Sequence, residues 1–409
     1  MPADPESRIV IVGAGQAGGS AAAFLRQFGH TGEILLIGAE PVPPYQRPPL
    51  SKAYLKGEVG VDALRLRPDA YYTEHRIALR LGETVTAIEP AVRRVRLGSG
   101  EAIAYDMLIL ATGSHPRALP LPGADLPGVL TLRSIADSDA LKAALAGAGR
   151  LVIIGGGYIG LEAAASARAA GVAVTIVERE SRVLARVASP VISRFYEARH
   201  RAEGVEILTE AGLKAIEGEG QVTGVRLADG RRIACEVVLV GVGAAATDAL
   251  AREAGLACEA GILVDQEART SDPAIFAIGD VTWRQVPLYD RYCRVESVGN
   301  AVEQAKQAAG AIAGRPAPAH EVPWFWSDQY DLKLQLAGLA VDADRLLVRG
   351  SEAKGKFAVF HLNGDKIRAV EAVNSASEFI IGKRLIGEQR AVDPDRLADV
   401  EIPMGKVAG

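Results

Sequence analysis

Cysteine is scarce in this chain. Its 409 residues hold three, at positions 235, 258 and 293. No two of them have CxxC or metal-ligand spacing, which excludes a dithiol redox motif and a cysteine zinc site and leaves no metal centre to expect. So few scattered thiols suit a reducing cytoplasm. The six histidines are equally dispersed, and only His115 neighbours a predicted cofactor loop. No apolar run reaches the roughly 18 residues of a membrane span. The opening "MPADPESR" is short and polar, unlike a signal peptide. A net charge of −4 gives no general reason to bind nucleic acid or an anionic membrane, although a local basic patch is compatible with it.

What is present is core. Apolar residues are 49% and charged residues 23%, the balance of a globular chain, and the length predicts two or three domains. One pattern occurs twice. "RIVIVGAGQAGGSAAAFLRQFG" spans 8–29 and "RLVIIGGGYIGLEAAASARAAG" spans 150–171. Each reads as an apolar strand, a glycine-rich turn and an alanine-rich helix ending at glycine. Each leads into a second strand, "EILLIGAE" or "AVTIVERE". Two Rossmann-like units in an α/β chain follow.

In the first unit Gly13, Gly15 and Gly18 have the G-x-G-x-x-G spacing. The first glycine allows the turn, the second admits a pyrophosphate, and the third lets the helix pack on its strand. Glu40, 22 residues after Gly18, is the candidate ribose ligand, although the strand end itself holds Gly38 and Ala39. The second unit supplies Gly155, Gly157 and Gly160, with Glu178 closing the next strand. A carboxylate there accepts the ribose hydroxyls of NADH and repels the 2′-phosphate of NADPH. Arg179 and Arg182 leave the opposite preference open. Two dinucleotide sites in one chain predict a permanent cofactor, FAD in the first unit, and an exchanging NADH in the second. Asp280, after the strand-end Gly279, belongs with the FAD unit.

Further along, "YDMLILATGSHPR" and "CEVVLVGVGAAAT" read as buried strands, the second broken around Gly241 and Gly243. A helix is predicted from Ser297 to Ile312, with Val298, Val302 and Ala305 on one face. "AGRPAPAHEVPW" reads as a linker. Beyond it Asn363-Gly364-Asp365 marks a hairpin, and the Ser375/Glu378 spacing predicts a capping box at a helix start. The expected domains are 1–113 with 244–320 for FAD, 114–243 for NADH, and a C-terminal α+β domain over 321–409.

The paired glycine motifs with "ATG", "AIGD", "RPPLSK" and "PWFWSDQY" closely resemble the FAD-dependent ferredoxin reductases, the NADH-coupled reductases of bacterial oxygenase systems. The resemblance covers nearly the whole chain. It implies a glutathione-reductase-like flavoprotein fold with a C-terminal domain covering the flavin, and tight, non-covalent FAD. It places flavin contacts on Ala17, Lys52, Val85, Arg133, Asp280 and Val298, and aligns the relatives' acidic flavin-ribose ligand with Ala39. Disulfide reductases pass electrons from flavin to a cysteine pair just after the first glycine motif. Here that stretch is "PYQRPPLSKAYL", with Lys52 and Arg47 but no cysteine. The resemblance implies Lys52 near flavin N5, paired with Glu162, where a cation stabilises charge on the reduced ring. With NADH on the second unit, Tyr158 in its glycine turn is expected against the nicotinamide or shielding the flavin before NADH arrives, and Glu162 and Glu296 are candidates to orient the carboxamide. The resemblance implies an electron exit past Trp326 to a 2Fe–2S ferredoxin. An acidic ferredoxin needs a basic face, for which Arg67, Arg294, Lys306 and Lys333 are the candidates. The alternative is a free-standing NADH oxidase or quinone reductase with no protein acceptor.

Overall fold

The computed structural model describes residues 4–316 and 318–407. It contains two compact units. The first gathers residues up to Gln46, Asp62–His115 and Ala245–Phe325; the second gathers Arg47–Val61, Pro116–Ala244 and the chain from Trp326 onward.

The first unit is built on a five-stranded sheet in the order Ile275–Ala277, Met107–Leu110, Ile9–Val12, Ile34–Gly38, Ile77–Leu81. Every neighbouring pair in it is parallel. Parallel strands are covered on both faces, which is why Ile9, Val10 and Ile11 are wholly buried rather than alternating. Fully burying one such side chain contributes about 1.5–3 kcal/mol. The helix Gln16–Gln27 follows the first strand.

The helix Val298–Ile312 is capped by Ser297, whose Oγ accepts from the Asn300 amide. Its buried surface is broader than the predicted stripe. Ala305 is buried, but Val298 and Val302 are only half-buried, and Gln304, Gln307 and Glu303 are buried too. The polar residues are inside because they have partners: Gln304 Oε1 accepts from Gly279 N at 2.8 Å and from Thr282 Oγ1 at 2.9 Å.

The second unit repeats the plan, with strands in the order Val205–Leu208, Ala173–Val177, Arg150–Ile154, Val237–Val240, Val129–Leu130, all parallel. The repeat extends further than the glycine motifs. A three-stranded antiparallel meander precedes the strand Met107–Leu110 in one unit, over Val85–Leu97 and Ala102–Ala104, and the strand Val237–Val240 in the other, over Leu213–Leu227 and Arg232–Ala234.

The C-terminal segment adds a five-stranded sheet in which Leu332–Gly338, Lys366–Val373, Lys356–Asn363 and Arg345–Ser351 are antiparallel neighbours. The hairpin turns at Gly364-Asp365, with Gly364 at φ +58°. The helix Ala376–Glu388 starts where the Ser375/Glu378 spacing puts it, but the capping box does not form. Glu378 turns instead toward Ser377 and the buried Arg349 guanidinium, a charged partner that outweighs one backbone amide. A capping box does form at Ser134 and Asp137, opening the helix Ile135–Leu145.

Candidate functional site

In the first unit the three glycines have distinct jobs. Gly13 sits at φ +113°, and a Cβ there would lie 2.2 Å from the Ala111 carbonyl oxygen; a Cβ on Gly18 would lie 2.0 Å from the Gly13 oxygen. Both positions are closed by backbone packing. At Gly15 a Cβ would meet nothing within 4 Å. The open space lies at the N-cap of the helix Gln16–Gln27, where unpaired amides and the helix dipole attract phosphate. The arrangement fits a pyrophosphate. Gly279, at φ +81°, approaches Ala17, its virtual Cβ 3.0 Å from that methyl. Asp280 Oδ2 accepts from Ser114 Oγ at 3.1 Å. The virtual Cβ of Gly279 also lies 3.9 Å from the Ala301 methyl, so Ala17, Asp280 and the first turn of the Val298 helix lie close together. Val85 is buried on its meander strand.

The second unit repeats the arrangement. A Cβ on Gly155 or Gly160 would lie 2.4 Å from a backbone oxygen, whereas Gly157 faces open space. Gly243, at φ +106°, follows the fourth strand. Glu178 Oε2 accepts from Gly156 N at 2.6 Å and its Oε1 from Glu180 N at 2.8 Å. The carboxylate is thus fixed beside the turn. Arg182 is spent on the fold: its Nη1 donates to Ser193 Oγ at 2.5 Å and to Ala188 O, and its Nη2 to Ala185 O. Arg179 is exposed and pairs with Glu180 at 3.2 Å.

The two units can be registered on each other through their first glycines. Gly13 N donates to Ile37 O as Gly155 N donates to Val177 O. Gly38 therefore corresponds to Glu178, and Ala14 to Gly156. A Cβ on Gly38 would lie 2.5 Å from the Ala14 methyl, so no side chain fits there. Glu40 lies two positions on, half-buried, its Oε2 accepting from Tyr45 Oη at 2.6 Å.

Lys52 and Glu162 form a buried ion pair in the second unit. The ammonium is 2.6 Å from Glu162 Oε2, with side-chain exposures of 15% and 3%. The 3₁₀ turn Pro48–Ser51 delivers the lysine, which also donates to Pro48 O at 3.0 Å. Glu162 projects from the helix Tyr158–Ala169. Two hydroxyls complete its shell: Ser51 donates to Oε2 at 2.5 Å and Ser327 to Oε1 at 2.6 Å. The motif reading passed over both serines, although each lies inside a quoted motif. Arg47 donates to the Arg133 carbonyl at 2.6 Å, and Arg133 N to Asp137 Oδ2 at 2.9 Å.

Tyr158 is half-buried, and its hydroxyl donates to Val187 O at 3.3 Å. Loss of hydration, then Glu371, Tyr196 and Glu162 nearby, push this phenol well above its ordinary value, so it stays protonated. Trp326 is half-buried in the strand Trp324–Gln329. Glu296 is ion-paired to Arg294. Of the basic candidates, Arg67 and Lys306 are exposed, while Arg294 and Lys333 have acidic partners, Lys333 lying 3.0 Å from Asp328. His115 is exposed and 3.1 Å from Thr247 Oγ1. The cysteines are free. Among the described residues no His/Cys/Asp/Glu group is arranged to hold a metal, and no helix is long and apolar enough to cross a membrane.

Comparison with known proteins gives this geometry relatives. Residues 7–305 match the pyridine nucleotide-disulphide oxidoreductase family, and residues 324–408 match the reductase C-terminal family. The chain is 47% identical over 403 residues to a probable ferredoxin reductase of Castellaniella defragrans, covering 98% of each chain. It is 42% identical to a putidaredoxin reductase of Pseudomonas putida, covering 98% of this chain and 96% of the relative. Among solved structures it superposes on the reductase of a covalent putidaredoxin reductase–putidaredoxin complex with a TM-score of 0.96 at 41% identity, covering 99% and 98% of the two chains.

Proposed function

Because this chain belongs to the FAD-dependent ferredoxin reductases, within the pyridine nucleotide-disulphide oxidoreductase family, we propose that it passes electrons from NADH through FAD to a small 2Fe–2S ferredoxin serving a monooxygenase or dioxygenase. One observation carries the reading: the near-complete superposition on a reductase captured with its ferredoxin. A protein acceptor is favoured over a free-standing oxidase or quinone reductase, because the relatives are named for ferredoxin reduction along their full length.

Bound FAD supplies a chemistry no side chain has, accepting two electrons together and releasing them singly. In this reading the first unit holds it: Gly13, Gly15 and Gly18 admit the pyrophosphate, Asp280 and Val298 close the site with Ala17 and Val85, and Glu40 takes the ribose. The second unit holds NADH at Gly155, Gly157, Gly160 and Gly243, with Glu178 on the ribose. Lys52 provides positive charge for the reduced ring, and Glu162 holds Lys52. Arg133 completes the flavin contacts, Tyr158 and Glu296 serve the nicotinamide, and Trp326 lies on the exit. Residues 321–409 act as a distinct C-terminal domain. No sulfur relay is involved, since the stretch after the first glycine motif holds Lys52 and no cysteine, and the three thiols are free. Free thiols and an NADH donor support a cytoplasmic location.

Ferredoxin docks by charge, chiefly at Arg67 and Lys306, with Arg294 and Lys333 as paired and weaker contributors. The test is stopped-flow mixing of purified holoprotein with NADH and then with a 2Fe–2S ferredoxin. Flavin bleaching followed by ferredoxin reduction is expected. Rapid reoxidation by air, unaffected by ferredoxin, sinks the reading.

A further inference from the structure

We propose that His200 and Gln329 are positioning residues for the Lys52–Glu162 pair, acting through Ser327 along a chain of hydrogen bonds that runs one way. The proposal rests on the reading that this pair serves the flavin.

The chain is continuous. Ser327 Oγ donates to Glu162 Oε1 at 2.6 Å, and Gln329 Nε2 donates to Ser327 Oγ at 3.0 Å. His200 Nε2 lies 2.8 Å from Gln329 Oε1, and Tyr330 Oη lies 3.1 Å from His200 Nδ1. Ser327 and His200 have no exposed surface, Gln329 has 1% and Glu162 has 3%. Three separate elements contribute: Glu162 from the helix Tyr158–Ala169, His200 from the helix Pro190–Ala202, and Ser327 and Gln329 from alternate positions of one strand.

Direction follows from counting protons. Ser327 has one, and the ionised carboxylate takes it. Toward Gln329 the serine oxygen only accepts, so the amide must present Nε2 to it and Oε1 to His200. An accepting Oε1 requires His200 to carry its proton on Nε2. Nδ1 is then bare and accepts from Tyr330. The charge on Glu162 thereby dictates the histidine tautomer through two intervening residues, Ser327 and Gln329.

Every donor points toward the carboxylate, so the dipoles reinforce one another and all favour the anion. Glu162 Oε2 is meanwhile filled by Ser51 and Lys52. With both oxygens occupied, the carboxylate cannot rotate away from the lysine. Gln329 has no proton to relay without losing its amide form, so the chain is a tether and not a proton path. Burial supports the same conclusion. Loss of hydration pushes the His200 imidazole down to about 4, so it is neutral and tautomerically fixed at physiological pH.

Holoprotein variants Ser327→Ala, Gln329→Met and Ser327→Thr test this against wild type. Ser327→Ala should slow single-turnover flavin reduction by NADH about tenfold, the scale of one hydrogen bond to a charge, with little change in the Kd for NADH. The flavin midpoint potential should move negative. Gln329→Met should shift both readouts in the same direction by less, and Ser327→Thr should restore the rate. Ring 15N chemical shifts of His200 in unmutated protein should report the Nε2–H tautomer. An Nδ1–H ring, or a doubly protonated one at pH 7, overturns the proposal whether or not a variant folds. If wild type is reduced normally while Ser327→Ala and Gln329→Met keep its rate and potential, the tether fails and the reductase reading stands. If wild-type holoprotein is not reduced by NADH, the reductase reading fails, and the tautomer still tests the chain.

Discussion

Lys52 and Glu162 lie 2.6 Å apart, 110 residues apart in sequence, with their side chains 15% and 3% exposed. Such a pair is expensive to break from one side, because the surviving charge stays desolvated. Glu162→Gln should therefore destabilise the protein by about 3 kcal/mol, within the 3–5 kcal/mol typical of a broken buried pair. The double replacement Lys52→Met with Glu162→Leu should cost less than the sum of the two singles. Urea unfolding of wild type, Glu162→Gln, the two singles Lys52→Met and Glu162→Leu, and their double checks both statements, with wild type, the two singles and the double read as a double-mutant cycle.

The glycine positions separate folding from binding. Gly13→Ala places a Cβ 2.2 Å from a carbonyl at φ +113° and should unfold or strip the protein. Gly15→Ala meets no protein atom within 4 Å. The apoprotein Tm should stay near wild type while flavin affinity falls. Gly157→Ala should likewise raise the KM for NADH with an unchanged Tm. Calorimetry beside flavin titration distinguishes the classes.

Glu178→Ala removes the fixed carboxylate beside the second turn. The KM for NADH should rise by about 10- to 150-fold, the equivalent of roughly 1.5–3 kcal/mol. NADPH should gain little, because Arg182 is committed to Ser193, Ala188 and Ala185. Parallel steady-state kinetics with both nucleotides give the answer, and a large NADPH gain contradicts it.

His200 makes stability depend on acid. Its folded pKa, about 4, lies below the 6.5 of an unfolded imidazole, with desolvation the leading cause. The unfolded chain thus binds the proton more readily, and stability falls as pH drops from about 6.5 toward 4. The loss at the lower end is about 3 kcal/mol. His200→Gln should flatten that limb of the urea midpoint against pH, relative to wild type.

Ferredoxin reduction should slow as ionic strength rises from about 0.05 to 0.3 M, because exposed charges are screened over about 10 Å at 0.1 M. Arg67→Glu and Lys306→Glu should lower the association rate more than Arg294→Glu, whose cation already faces Glu296. A salt-independent rate removes the basic face from the account.

Much of this was legible in the sequence because glycine is read through backbone geometry. Gly18 and Gly160 show their necessity as spacing, since each faces the carbonyl of the glycine five residues before it, whereas Gly13 and Gly155 face carbonyls of Ala111 and Gly241, far along the chain. The paired parallel sheets followed from the same motifs. The antiparallel meanders at 85–104 and 213–234 did not, as short strands with mixed exposure have weak periodicity. Lys52 and Glu162 were found through the family resemblance. Ser327, Gln329 and His200 carry no spacing signal, because their hydrogen bonds join segments up to 165 residues apart. The capping box at Ser375 was overruled by Arg349, a residue no local window contains.

The exchange of Ala14/Gly38 in one unit for Gly156/Glu178 in the other has an evolutionary consequence. Giving the first glycine turn the strand-end carboxylate of the second takes two substitutions, and their order matters. Glutamate arriving first at position 38 collides with a methyl 2.5 Å from its Cβ. Glycine arriving first at position 14 only vacates space. A chain with glycine at position 14 therefore has room for an acid at the strand end, whereas with Ala14 in place the next carboxylate is Glu40, two positions on.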